Sequence, residues 1–133
     1  MMKIGFIGTG LMGLPMAKNL CKSGFKLKVF NRSINKAEPL KEFGAEISKT
    51  LGEVVKGNDF IITMLTDDTA VDAILNNSDL LENLKSGFKL KAFNRSINKA
   101  EPLKEFGAEI SKTLGEVVKD NDFIITMLTD DTA

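Results

Sequence analysis

Gly8-Thr9-Gly10-Leu11-Met12-Gly13 stands directly behind the apolar run Lys3-Ile4-Gly5-Phe6-Ile7. The order is that of a buried strand, a glycine turn and the head of a helix, which is the form of a dinucleotide fingerprint. Gly8 makes the tight turn, Gly10 lets the backbone approach a pyrophosphate, and Gly13 lets the helix lie close to the strand. The helix N-terminus then offers unpaired N–H groups and a positive dipole end to the phosphates. An ordinary strand-to-helix turn also carries glycine. Here, however, a helix and a second strand follow at the spacing the fingerprint needs, so Gly8, Thr9, Gly10, Leu11, Met12 and Gly13 are candidate cofactor-binding residues.

The pattern continues outward from the turn. Leu14, Met16, Ala17, Leu20 and Cys21 form a helical stripe with Leu11 at its head, and Gly24 caps the helix. Phe25 to Phe30 alternates apolar with Lys26 and Lys28, which predicts a strand. A helix over about Lys36 to Phe43 is opened by Asn35 and Glu38 and closed by Gly44, with Pro39 in its first turn. Ala45 to Ser48 predicts a short strand. Thr50 and Glu53 form a capping box for a helix through Lys56, ended by Gly57. Asp59 to Leu65 is apolar almost throughout, which suits a strand covered on both faces of a parallel sheet. A helix from Ala70 to about Leu75 is broken by Asn76-Asn77-Ser78, and Asp79 to Leu84 is a linking stretch. Alternating strands and helices joined by short loops predict an α/β fold: a doubly wound, mainly parallel sheet with helices on both faces.

A repeat is superimposed on this pattern. Residues Lys22 to Ala70 recur as Lys85 to Ala133, and only two positions differ: Val29 becomes Ala92, and Gly57 becomes Asp120. The fingerprint occurs in the first copy alone. Residues 1–84 are therefore expected to form a dinucleotide-binding Rossmann unit, and residues 85–133 repeat its later strands and helices. The second copy either extends the same sheet, with Lys89 to Phe93 as its fifth strand, or competes for the same place and swaps between chains. A homodimer is one expected outcome.

Composition bounds the chemistry. Lys+Arg and Asp+Glu are both 18, so no net field favours nucleic acid or an anionic membrane. Runs such as Phe60-Ile61-Ile62 are too short to span a bilayer, and the chain enters its first strand without a signal peptide. One cysteine, Cys21, cannot form an internal disulfide and fits a reducing, cytoplasmic compartment. There is no histidine, which excludes Ser-His-Asp and Cys-His chemistry, and no residue pattern points to a metal site or a catalytic group.

The choice of cofactor is written at the end of the second strand. In an NAD site an acidic residue about 20 positions past the glycines accepts the ribose 2′-hydroxyl. That place holds Asn31, followed by Arg32 and Ser33. A carboxylate would repel a 2′-phosphate, whereas an amide, a guanidinium and a hydroxyl hold it by charge-assisted hydrogen bonds. The prediction is NADP(H) over NAD(H). The second copy repeats the turn as Asn94, Arg95 and Ser96 with no glycine turn before it, so no independent second site is expected.

The stretch Ile4-Gly5-Phe6-Ile7-Gly8-Thr9-Gly10-Leu11-Met12-Gly13-Leu14-Pro15-Met16-Ala17-Lys18-Asn19-Leu20 resembles the amino end of the β-hydroxyacid dehydrogenases. That family includes 3-hydroxyisobutyrate dehydrogenase, 6-phosphogluconate dehydrogenase and the glyoxylate/succinic semialdehyde reductases. Asn31-Arg32-Ser33 resembles the NADP-preferring reductase branch. Ile61-Ile62-Thr63-Met64-Leu65-Thr66 resembles the family's fourth-strand motif, whose following loop lies along the cofactor. The resemblance covers residues 2 to about 88 and implies a Rossmann-like fold, with Met64, Leu65 and Thr66 added to the cofactor-binding set. It also marks two departures. Gly87-Phe88-Lys89-Leu90 leads into the repeat where the family has an Asp-x-Ser-Thr substrate segment, and the glycine-rich motif of the family's catalytic lysine is missing.

The expectation is thus an NADP(H)-binding domain without catalytic competence alone. The alternative is a non-enzymatic, duplicated or designed scaffold concerned with folding or assembly. A third reading has a separate chain supplying the helical half.

Overall fold

The computed structural model describes residues 1–65, 68–84, 90–92, 101, 104, 109–117 and 123–127. The strands are β1 (Lys3–Ile7), β2 (Lys26–Phe30), β3 (Glu46–Ile47), β4 (Phe60–Leu65), β5 (Leu90–Ala92), β6 (Glu109–Ile110) and β7 (Phe123–Met127). The α-helices are α1 (Gly13–Lys22), α2 (Leu51–Val55), α3 (Asp68–Leu75), α4 (Ser78–Leu84) and α5 (Leu114–Val117). The seven strands among the described residues form one sheet in the order β3-β2-β1-β4-β7-β5-β6. Every pairing described is parallel. This is a Rossmann-like α/β fold.

Period-two alternation in the central strands supplies two cores. On one face Ile4, Phe6, Leu27 and Val29 pack with Ala17 of α1 and with Ala37 and Leu40 of the segment after β2. On the other, Ile7 and Ile61 pack with Leu51, Val54 and Val55 of α2, Ile74 of α3 and Leu80 of α4. Phe6, Val29, Val54, Val55 and Ile61 are fully buried. Each such side chain contributes about 1.5–3 kcal/mol relative to exposure, which is what holds helices on both faces of β1 and β4.

Three sequence expectations change. The segment expected to be a helix over about Lys36 to Phe43 is two 3-10 stretches, Ile34–Lys36 and Glu38–Phe43, and neither has a side-chain cap. Pro39 has no N–H to donate and its ring crowds the preceding turn, so the tighter, shorter helix prevails. Leu11, expected at the head of the helical stripe, lies on the turn before α1 and is 97% exposed. The stretch after Asn77 is not a link but α4. Asn77 Oδ1 accepts the Leu80 N–H at 3.0 Å, capping a helix whose Leu80 is fully buried. The capping box at α2 forms as read. Thr50 Oγ1 accepts the Glu53 N–H at 3.2 Å, and Glu53 Oε2 accepts the Thr50 N–H at 3.4 Å and the Lys49 N–H at 2.7 Å.

The second repeat reproduces the first in local detail. Thr113 Oγ1 accepts the Glu116 N–H at 3.2 Å, and Glu116 Oε2 accepts the Lys112 N–H at 2.8 Å. Lys104 pairs with Glu101 at 2.9 Å as Lys41 pairs with Glu38 at 2.8 Å. Ser111 is as buried as its counterpart Ser48. β7 lies beside β4, of which it is the copy, and β5 lies beyond β7. Both sheet edges, β3 and β6, are therefore the same two residues, Glu-Ile.

Candidate dinucleotide site

The carboxyl ends of β1, β2 and β4 converge on a cleft of about 300 Å³. Ile7, Gly8 and Gly10 line it from β1 and its turn, Phe30, Asn31, Arg32 and Ser33 from the end of β2, and Met64 and Leu65 from the end of β4. α2 contributes Leu51, α3 contributes Ala70, Ala73 and Ile74, and Lys36 joins them from the 3-10 turn after β2. A crevice outside the strand carboxyl ends, where the chain crosses from one face to the other, is where this architecture binds ligands.

Local chemistry builds the turn. Gly8 has φ 97°, a conformation that an L side chain rarely adopts, and a Cβ there would overlap the carbonyl oxygen of Met64. A Cβ on Gly13 would overlap the carbonyl oxygen of Gly8 and press on Met64 Cβ at 3.3 Å. The first residue of α1 is thereby seated against both the turn and the end of β4. The Gly8 N–H donates to Phe30 O at 2.9 Å, which joins the turn to β2. The Thr9 N–H donates to Asn31 Oδ1 at 2.9 Å, and Asn31 Nδ2 donates to the Ser33 carbonyl at 2.9 Å. One amide thus locks the glycine turn to the loop that carries Arg32. Thr9 is buried, and its hydroxyl has no hydrogen-bond partner among the described residues.

Of the residues singled out from sequence, Gly8, Gly10, Asn31, Arg32, Ser33, Met64 and Leu65 line one cleft. Thr9, Leu11, Met12 and Gly13 do not. Thr9 and Gly13 are buried beneath the turn, while Leu11 and Met12 stand exposed on it. Thr66 lies outside the described residues, as do Asn94, Arg95 and Ser96. The reading missed Lys36 and the α3 face of Ala70, Ala73 and Ile74. Two signals were available: Lys36 follows Arg32 by one helical turn, and the α3 residues recur at helical spacing.

The residues present suit a dinucleotide. The glycine turn gives close backbone approach, the cleft walls are largely apolar, and two cations stand at the end of β2 with no acidic residue among the described residues lining the cleft. Among the described residues no three His, Cys, Asp or Glu side chains gather to hold a metal. Cys21 sits on the far end of α1, where burial pushes its thiol pKa up and a backbone hydrogen bond opposes this more weakly. No described helix is long and apolar enough to cross a membrane.

Comparison with known proteins agrees with this geometry. The sequence profile of the NAD binding domain of 6-phosphogluconate dehydrogenase matches residues 3–90 and again residues 80–133. Glyoxylate/succinic semialdehyde reductase 1 of Arabidopsis thaliana is 38% identical over 87 residues, which is 65% of this chain and 30% of the relative. The mitochondrial 3-hydroxyisobutyrate dehydrogenase of Drosophila melanogaster is 46% identical over 70 residues, 53% of this chain and 22% of that protein. An imine reductase from Myxococcus stipitatus, solved in complex with NADP+, superposes with a TM-score of 0.68 at 25% identity, covering 83% of this chain and 39% of the reductase. The matches to the first three curated relatives span 30%, 38% and 34% of those proteins' lengths. The cofactor halves of these reductases and dehydrogenases are what the chain matches, and it belongs to the family of NAD binding domains of 6-phosphogluconate dehydrogenase.

Proposed function

We propose that the chain binds NADP(H) in preference to NAD(H) and serves as the cofactor half of a β-hydroxyacid dehydrogenase or reductase, without catalysing hydride transfer alone. The observation that carries this reading is the pairing of Arg32 with Lys36 on the cleft, beside Asn31 and Ser33, where an NAD site would place a carboxylate. Two cations and two neutral hydrogen-bonding groups match a dianionic 2′-phosphate, and Arg32 can meet it with two parallel N–H donors. Gly8 and Gly10 give the pyrophosphate close access to backbone, and the α1 N-terminus favours its charge. Ile7, Leu51, Ala73 and Ile74 give the rest of the cleft an apolar lining.

When bound, NADPH supplies a hydride, but transfer also requires a substrate pocket and a group that moves a proton at the reacting carbon's substituent. Lys36 is the lysine that lines the described cleft, and its proposed partner there is the 2′-phosphate. Calorimetric titration of the purified chain with NADPH, and separately with NADH, tests the proposal. One saturable site per chain with NADPH bound more tightly is the expected result. A folded chain that binds neither cofactor, or prefers NADH, overturns it.

A further inference from the structure

In the first repeat, Leu27 and Phe60 are both opposite Ile4, and Lys28 and Ile61 are both opposite Gly5, so β1 lies between β2 and β4. In the second repeat Leu90 is directly opposite Phe123, and Lys91 is directly opposite Ile124. These are the same residues at the same relative heights with the intervening strand removed. The neighbours of β1 recur almost unchanged, since Lys26 to Phe30 and Phe60 to Leu65 return as Lys89 to Phe93 and Phe123 to Leu128 with the single change of Val29 to Ala92. The capping box, the Lys-Glu pair and the buried serine show that this second frame is already built.

We propose that the second repeat is a second seat for the β1–α1 unit, filled by that unit from a second copy of this chain in a reciprocally exchanged dimer. Among the described residues the β5–β7 pairing is what has to open to admit it, and the vacated first seat closes as the second is closed now. The donor is another chain rather than the same one because the hinge is short. Ser23, Gly24 and Phe25 are all that separate α1 from β2, a reach of about 14 Å from Lys22 to Lys26 when fully extended. Exchange within one chain would carry β1 three strand spacings from β2, about 14 Å sideways, in addition to the step of about 10 Å between layers. A second chain is free to approach at the distance the hinge allows.

Three differences between the seats set the bias toward the first. Val29 is fully buried in a cluster with Ile4 and Phe6 of β1 and Ala17 of α1, and Ala92 lacks its two methyl groups. Gly57 has φ 74°, a conformation in which Asp, its replacement at position 120, is disfavoured. α4 docks on α2 of the first repeat, where Asp79 Oδ2 accepts the Gly52 N–H at 2.7 Å. The monomer is therefore the ground state, and the exchanged dimer grows with concentration by mass action.

The test labels wild-type chain at Cys21 on α1 and, separately, a Cys21→Ser, Lys104→Cys chain at position 104. The two are mixed, unfolded in urea, refolded at high concentration and measured by pulsed electron paramagnetic resonance. A doubly labelled Lys41→Cys chain gives the reference distance between α1 and its present seat, because Lys41 and Lys104 are counterparts. The proposal expects an inter-chain 21-to-104 distance equal to the intrachain 21-to-41 distance. It also expects Ala92→Val, which refills the second seat, to raise the dimerisation constant at least about tenfold. Val29→Ala, which weakens the first seat, should move it the same way, so the trend survives if one variant folds poorly. Monomers at every concentration in wild type and Ala92→Val overturn the proposal, as does a dimer in which positions 21 and 104 stay far apart.

Discussion

The backbone N–H of Thr9 donates to Asn31 Oδ1 at 2.9 Å across the mouth of the cleft. The bond ties the phosphate-facing turn to the residue that begins the cofactor-selecting loop, and Asn31 Nδ2 holds the Ser33 carbonyl on the other side. Replacing Asn31 by Ala leaves both backbone groups without this partner, at a cost of about 1–3 kcal/mol of stability. NADPH and NADH should both bind more weakly, because the turn itself loosens. Urea unfolding and parallel titrations check this; loss of NADPH binding alone would show that Asn31 acts only through the 2′-phosphate and not also through the turn.

Arg32→Asp removes a cation from the cleft and adds an anion. A charged hydrogen bond contributes about 1.5–3 kcal/mol, so NADPH affinity should fall by roughly 10- to 100-fold while NADH binding is spared. Lys36→Gln should give a smaller loss that fades as salt is raised, since its contribution is mainly charge. In dilute protein, Arg95→Asp should leave both affinities unchanged, because no glycine turn precedes it in sequence. Equal effects at positions 32 and 95 would contradict the assignment of the site to the first repeat.

Gly13→Ala sets two effects against each other. Alanine is favoured over glycine in a helix interior by about 1 kcal/mol, but Gly13 is the first residue of α1, where that gain is smaller. Its Cβ would overlap the Gly8 carbonyl, and overpacking of this kind costs about 1–3 kcal/mol. The expected result is a lower melting temperature together with weaker binding of both cofactors. A variant as stable as wild type would mean that α1 can shift away from the turn without cost.

Asp79→Ala should detach α4 from α2 by removing the 2.7 Å bond to the Gly52 N–H, a loss of about 1–3 kcal/mol. Hydrogen exchange in α2 and α4 should accelerate more than exchange in β1 and β2. Uniform acceleration across the sheet would show instead that α4 is part of the global folding unit.

Some features were legible because their causes are local. The Thr50–Glu53 capping box is set by residues three apart, and Gly8 by a positive φ that side-chain-bearing residues rarely adopt. Others were hidden because the deciding partner is remote or the signal short. α4 was read as a link because its cap, Asn77, looked like part of a breaker cluster, and burial of Leu80 against α2 then sustains the helix. Lys36 falls inside a helix on the sequence pattern, whereas the structure puts it at the end of the 3-10 turn Ile34–Lys36, on the cleft that Arg32 also lines.

The sequence by itself determined the strand-turn-helix at the amino end, the alternation that makes two cores, and the place of Arg32 at the end of the second strand, because each depends on residues close in the chain. Tertiary structure alone decided where the second repeat lies. Two nearly identical stretches carry the same local preferences, so no local rule can rank them. The order is set by which copy holds β1: the first copy is parted by it, and the second closes strand to strand beside β4, with Leu90 directly opposite Phe123.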